Sequence, residues 1–268
     1  MKSAKKLSLT KIAWLSIGVL YFLVPLLATL QFSLQEGREG YGFGAYTYIL
    51  TDPLFRQSLL FSFLLALATI VVSMLLLVPT VYWVRLRMPR LRPVLDFVSI
   101  MPFVVPPIVL VVGLLTLYQG APSWFVATPA ILLCGYVIHA LPYVYRSVDA
   151  GMEAINIHTL TEAAQSLGAG WGTVLLRVIV PNLRVALLSG SFLTLTIILG
   201  EYTMASLMLF NSFAVYIAYV GQSQANPAAA LTLISFAITW AAMLGLLAVT
   251  RRGSRGGAEV QAQIGGAR

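Results

Sequence analysis

The chain has 268 residues and a net charge of +8; 59% of its residues are hydrophobic and only 10% charged. Soluble globular chains carry roughly 25% charged residues, so this composition excludes a water-soluble domain and identifies an integral membrane protein. The basic residues are scattered in short flanks beside apolar runs, which excludes a nucleic-acid-binding patch. A single cysteine, Cys134, excludes an internal disulfide.

Crossing a ~30 Å hydrocarbon core at about 1.5 Å per residue takes about 20 apolar residues. Six segments qualify: 12–34, 57–84, 94–118, 125–145, 185–210 and 228–250. Backbone groups in lipid must be satisfied within the segment, so these are expected to be helices. The expectation is an all-α membrane protein with six transmembrane helices and one transmembrane domain over residues 1–268.

The first span follows a basic stretch that carries Lys2, Lys5, Lys6 and Lys11. Its apolar run is too long for a cleaved signal and lacks a small-residue cleavage site, so it reads as an uncleaved span. The third span is interrupted by Pro102, Pro106 and Pro107. These bend a helix and free carbonyls, either beside a solute path or as a purely structural kink. Asp96, near the inner edge of that span, is expected to pair with Arg92 at the surface. In the fourth span His139 reads as an interhelical hydrogen-bonding residue. The fifth carries Glu201 between Gly200 and Tyr202. A carboxylate inside a span costs at least ~2.5 kcal/mol unless it is paired or hydrated. Glu201 therefore either faces a hydrated pathway or is tied to another helix. Glu201, Tyr202, Pro106 and Pro107 are the candidate pathway residues.

Placing the N-terminus in the cytoplasm puts 15 of the 17 basic residues inside and leaves only Arg38 and Arg56 outside. The positive-inside rule selects this orientation, with both termini cytoplasmic. The outer loops, about 35–56 and two shorter ones, are too small to fold as domains. The loop 146–184 is then the longest cytoplasmic segment, and it has a helical pattern of its own. Thr159-Leu160-Thr161-Glu162 fits a capping box, with Thr159 as N-cap. Gly168 suits the left-handed residue that closes a helix. A second amphipathic piece, about 173–180, runs to Pro181, which cannot continue the ladder of hydrogen bonds and marks the start of the fifth span. Small Ala163 and Ala164 would let another surface approach closely. Glu162 and Gly168 could equally serve only to start and end a helix.

Glu162-Ala163-Ala164, three residues, Gly168, nine residues and Val178-Ile179-Val180-Pro181 resemble the EAA signature of permease subunits in type I ATP-binding-cassette importers. Val178 and Val180 stand where the signature has isoleucine and leucine. The resemblance implies a MetI-like importer permease fold and makes the loop a coupling helix. Thr159, Glu162, Ala163, Ala164, Gly168 and Pro181 would then couple to a cytoplasmic ATPase. It further implies an ATPase dimer that binds ATP and Mg, a second permease chain (identical or related), an extracytoplasmic solute-binding protein, and a bacterial inner-membrane location.

The chain itself has no phosphate loop: Lys11 is its last lysine, and that loop needs a lysine to reach the terminal phosphates. His139, His158 and Cys134 do not form a metal-binding pattern, and no catalytic constellation appears, so the chain reads as a transport subunit rather than an enzyme. The Leu199-Gly200-Glu201-Tyr202 segment looks like the polyamine-type permeases, whose wider group handles polyamines, ferric iron, sulfate, thiamine and phosphonates. An ion-coupled secondary carrier is the alternative reading.

Overall fold

The computed structural model describes residues 9–36 and 40–265, with side chains described as far as residue 245. Lys2, Lys5, Lys6, Arg38 and Arg268 lie outside the described residues.

Helix α1 (Leu9–Ser33) leads into a short antiparallel hairpin, β1 (Gln35–Glu36) and β2 (Gly40–Tyr41), with Gln35 opposite Tyr41. Next come α2 (Gly44–Thr51), the 35-residue α3 (Pro53–Arg87) and one 3₁₀ turn at Pro89–Leu91. Helices α4 (Arg92–Val104) and α5 (Pro107–Leu117) follow, then the single turn α6 (Ser123–Val126) and the long α7 (Pro129–Ala154). The segment between the fourth and fifth spans holds α8 (Ile157–Ser166), α9 (Trp171–Thr173), a π-helical stretch Val174–Ile179 and α10 (Val180–Asn182). The chain ends in α11 (Arg184–Leu199), α12 (Thr203–Leu207), α13 (Phe213–Ser223) and α14 (Ala225–Gly265).

Among the described residues, four stretches are individually long and apolar enough to cross a membrane: Ala13–Ser33, α3, α7 and Ala225–Gly245; two bent helix pairs raise this to six if each pair is one span. Large apolar side chains such as Trp14, Tyr21, Phe22, Leu75, Val104 and Trp240 are exposed. Water does not tolerate so much contiguous apolar surface, whereas lipid tails solvate it.

Three expected spans have a different form. The third is not one kinked helix: α4 and α5 meet at 106°. Pro106 pushes Val105 into an extended conformation (ψ 115°), and Pro107 sits in the first turn of the new helix, where its missing N–H costs nothing. The fourth runs on to Ala154 rather than ending near 145, so much of the expected loop 146–184 is helix. The fifth ends at Leu199, and residues 200–202 break the chain before α12.

The chain divides into two compact units, 1–56 with 217–238, and 57–216 with 239–268. In the first, the Asn226 side chain donates to the Phe32 and Gln35 carbonyls at 2.8 and 3.1 Å, and Gln224 donates to the Tyr48 hydroxyl at 3.1 Å. The Asn226 bonds tie the start of α14 to the end of α1 and to the hairpin, and the Gln224 bond ties the residue just before α14 to α2. In the second, α7 packs along α11. Gly151 makes this possible, because a Cβ there would collide with Ala186 and press on Leu183. Two apolar clusters fill this unit. One joins Leu65, Val111, Leu132, Tyr136, Ile198 and Met204; the other joins the ends of α3 and α7 to α8 and the π-helical stretch.

Candidate functional site

Helix α8 begins earlier than its sequence suggests. Asn156 is the N-cap, its side-chain oxygen accepting from the Thr159 N–H at 3.2 Å. Thr159 therefore lies inside the first turn and is not the cap, and the expected Thr159–Glu162 capping box does not form. Ile157 and Thr161 are buried, and Leu160 and Ala164 pack partly onto the same cluster. That spacing is one face of a helix. His158, Thr159, Glu162, Ala163 and Ser166 are left exposed. Ala164 thus turns inward, and only Ala163 of the pair offers a small outer surface.

The other end closes as expected. Gly168 takes φ +86°, its N–H donates to the Gln165 carbonyl at 2.9 Å, and the Ala169 N–H donates to the Ala164 carbonyl at 3.0 Å. This pair of bonds is the Schellman closure, in which glycine is favoured because a Cβ is strained at that φ. Leu167, just before it, is 89% exposed. The Glu162–Pro181 spacing does not mark this leucine; an apolar residue beside a helix end is the sequence signal that points to it.

The expected 173–180 piece is present but irregular. Pro181 cannot donate to the carbonyl four residues back and its ring crowds that carbonyl; the widened π-helical turn at Val174–Ile179 directly precedes it. The Trp171–Asn182 segment then meets α11 at 74°. Pro181 is exposed at that bend.

The last turns of α3 hold this segment. The Tyr82 and Thr161 hydroxyls, both buried, lie 3.0 Å apart. The Trp83 ring meets the Trp171 ring edge-on at 5.4 Å, and the Arg87 guanidinium lies 4.7 Å from the centre of the Trp171 ring. On the adjacent face Arg85 bonds Asp149 at 2.5 Å and Glu153 at 3.0 Å, and Arg92 reaches the same two carboxylates at 3.2 Å. The four charges cancel. Arg92 therefore does not pair with Asp96, which instead accepts from the Tyr145 hydroxyl at 2.6 Å.

Glu201 is buried. It accepts from the Tyr136 hydroxyl at 3.1 Å, the Met204 N–H at 2.8 Å and the Ala205 N–H at 3.3 Å. The carboxylate caps α12 and ties the break after α11 to α7, which is the second of the two situations open to it from sequence. Tyr202 beside it is 47% exposed. Pro106 and Pro107 sit apart at the α4–α5 corner, but α5 carries Val111 into the same cluster as Met204 and Ala205. A cleft of about 580 Å³ between α7 and α11 is lined by Tyr143, Arg146, Ala150, Asn182 and Ser189, among others, and by none of the four pathway candidates. The expected bond from His139 is not among those made by the described residues.

These features define a polytopic helical membrane protein with a braced, exposed helix between its fourth and fifth spans. Residues 81–252, well over half of the chain, match the binding-protein-dependent transport system inner membrane component family, and the chain belongs to that family. It is 26% identical over 178 residues to the spermidine/putrescine transport system permease protein PotB of Escherichia coli (strain K12), covering 61% of this chain and 64% of that protein. It is 26% identical over 215 residues to the permease protein PotC of the same kind of system in Haemophilus influenzae, covering 76% and 80%. The chain thus spans 64% of the length of the first of these relatives. Among solved structures it is similar to a bacterial alginate ABC transporter in complex with alginate pentasaccharide-bound periplasmic protein. The TM-score is 0.69 at 16% identity, over 90% of this chain and 93% of that one. The fold is therefore that of the MetI-like importer permeases.

Proposed function

We propose that this chain is the membrane permease subunit of an ATP-driven importer, and that a cytoplasmic ATPase grips it by the outer face of α8. The observation that carries this reading is the exposed surface formed by Thr159, Glu162, Ala163 and Leu167, held rigid by the Asn156 cap and the Gly168 closure. The same stretch bears the Glu162–Pro181 spacing. Family membership over residues 81–252 supports it.

ATP and Mg belong to the partner ATPase dimer. The remaining partners are a second permease chain, identical or related, and an extracytoplasmic solute-binding protein. The assembly sits in a bacterial inner membrane with both termini of this chain in the cytoplasm. Nucleotide binding draws the ATPase subunits together and carries α8 with them. The central path then opens outward, the binding protein releases its cargo, and hydrolysis resets the assembly. Each ligand shifts this equilibrium only by its differential affinity for the two states. The names of the PotB and PotC relatives favour a polyamine as cargo. Ferric iron, sulfate, thiamine and phosphonate are the alternatives.

The test is Gly168→Val. No atom lies within 4 Å of a Cβ at this position, so any effect comes from the backbone at φ +86°. A β-branched residue there costs about 1–2 kcal/mol and unwinds the last turn of α8. The variant is expected to insert and melt as a membrane protein while losing co-purification with its ATPase. Normal co-purification and uptake would refute the docking role.

A further inference from the structure

The end of α3 touches the segment between the fourth and fifth spans at two places. Tyr82 reaches the middle of α8 through the Thr161 hydroxyl, in a buried contact. Trp83 and Arg87, one helical turn apart, hold the Trp171 ring beyond the Gly168 closure. Between these faces Arg85 grips Asp149 and Glu153 at the end of α7, just before α8 starts. Four side chains within six residues therefore bind the three consecutive pieces of chain around the handle.

The geometry points to the end of α3, through Tyr82, Trp83 and Arg87, as the anchor that moves with α8 as one body. It rests on the reading of α8 as the ATPase handle. On this account the push delivered to α8 enters the bundle through α3 as well as through α7 and α11. The bonding favours such a path. The hydroxyl pair is out of water, where a lost partner costs more than at the surface. Edge-on aromatic contacts and a cation over an indole resist sliding over short distances. The chain joining α8 to α9 has Gly168 and Gly170 and is not stiff in itself; the Trp171 contact adds to the apolar packing of α8 on the π-helical stretch. Tyr82, Trp83 and Arg87 are thus positioning residues, acting through α8 rather than on cargo.

Spin labels at Thr80→Cys, on α3, and His158→Cys, on α8, in a Cys134→Ser background, test this in the complex with the cognate ATPase. Both positions are exposed. The distance between labels is measured without nucleotide and after trapping with ATP and vanadate. It is expected to stay constant in the otherwise wild-type chain. In Tyr82→Phe/Arg87→Ala it is expected to shift or broaden on trapping, with uptake per ATP hydrolysed falling by roughly fivefold or more. Arg87→Lys, which keeps a cation over the indole, retains the wild-type behaviour. A constant distance in the double variant, or a shift in the wild type, overturns the anchor. Tyr82→Phe alone serves if the double variant does not fold, since it removes one hydroxyl and leaves the ring. Failure of the unlabelled wild type to hold the ATPase would instead sink the docking reading on which the anchor depends.

Discussion

Replacing Glu201 separates a structural carboxylate from one that meets cargo. In Glu201→Ala three donors lose their acceptor: the Tyr136 hydroxyl and the Met204 and Ala205 N–H groups. A buried donor left unpaired costs about 1–3 kcal/mol, and the two N–H groups among the three are themselves the capped donors of α12, so no separate capping cost is added. With the weakest bond at 3.3 Å contributing least, the total is about 3–5 kcal/mol. At about 2–4 °C per kcal/mol for chains of this size, the melting temperature falls by roughly 10 °C. Glu201→Gln behaves differently. Its carbonyl still accepts from Met204 and its amide can donate to the Tyr136 oxygen, so only the longest bond is lost, at about 1 kcal/mol. Thermal unfolding of the detergent-solubilised protein, followed by tryptophan fluorescence, reads both variants, with uptake measured in parallel. The expectation is a large destabilisation for alanine, a small one for glutamine, and uptake retained by glutamine. An alanine variant that melts within about 2 °C of the wild type refutes the structural assignment. So does a glutamine variant of wild-type stability that no longer transports.

Other substitutions follow from single contacts. Gly151→Ala forces a methyl onto Ala186 and should destabilise by about 1–3 kcal/mol, visible as a lower melting temperature. Arg85→Ala leaves the buried Asp149 with only Arg92 at 3.2 Å, costing about 2–3 kcal/mol because one partner remains; an apolar Arg85→Met/Asp149→Leu pair should recover most of it in the same assay. Leu209 holds φ +62° with its side chain 90% exposed, so Leu209→Gly should raise stability by about 1 kcal/mol.

Much of the fold was legible because hydrocarbon thickness imposes a length on every span and lipid imposes helix on every backbone. The closure at Gly168 was equally plain, since a glycine after a run of helix formers has few other uses. The start of α8 was not. Asn156 and Thr159 are both good caps, and the choice falls to Ile157, whose burial with Thr161 requires one more turn of helix. The arginine–carboxylate cluster was hidden by sequence separation, because Arg85 and Asp149 are 64 residues apart. Asp149 and Glu153 share a helix face at a spacing of four, which was the one available hint. Nearness in sequence points Arg92 to Asp96, but the bundle brings the end of α7 nearer. The corner at Pro106 shows that a double proline can turn a span as well as bend it. The sequence leaves Glu201 two situations, and Tyr136 on another helix decides between them.

The decisive measurement is uptake in cells whose ATP is exhausted while the ion gradient across the membrane is clamped at its normal value. Uptake that stops, and resumes when ATP is restored, is the outcome expected of a permease driven through α8. Undiminished uptake on the ion gradient alone would mean that the chain is a secondary carrier and that its exposed helix transmits no force.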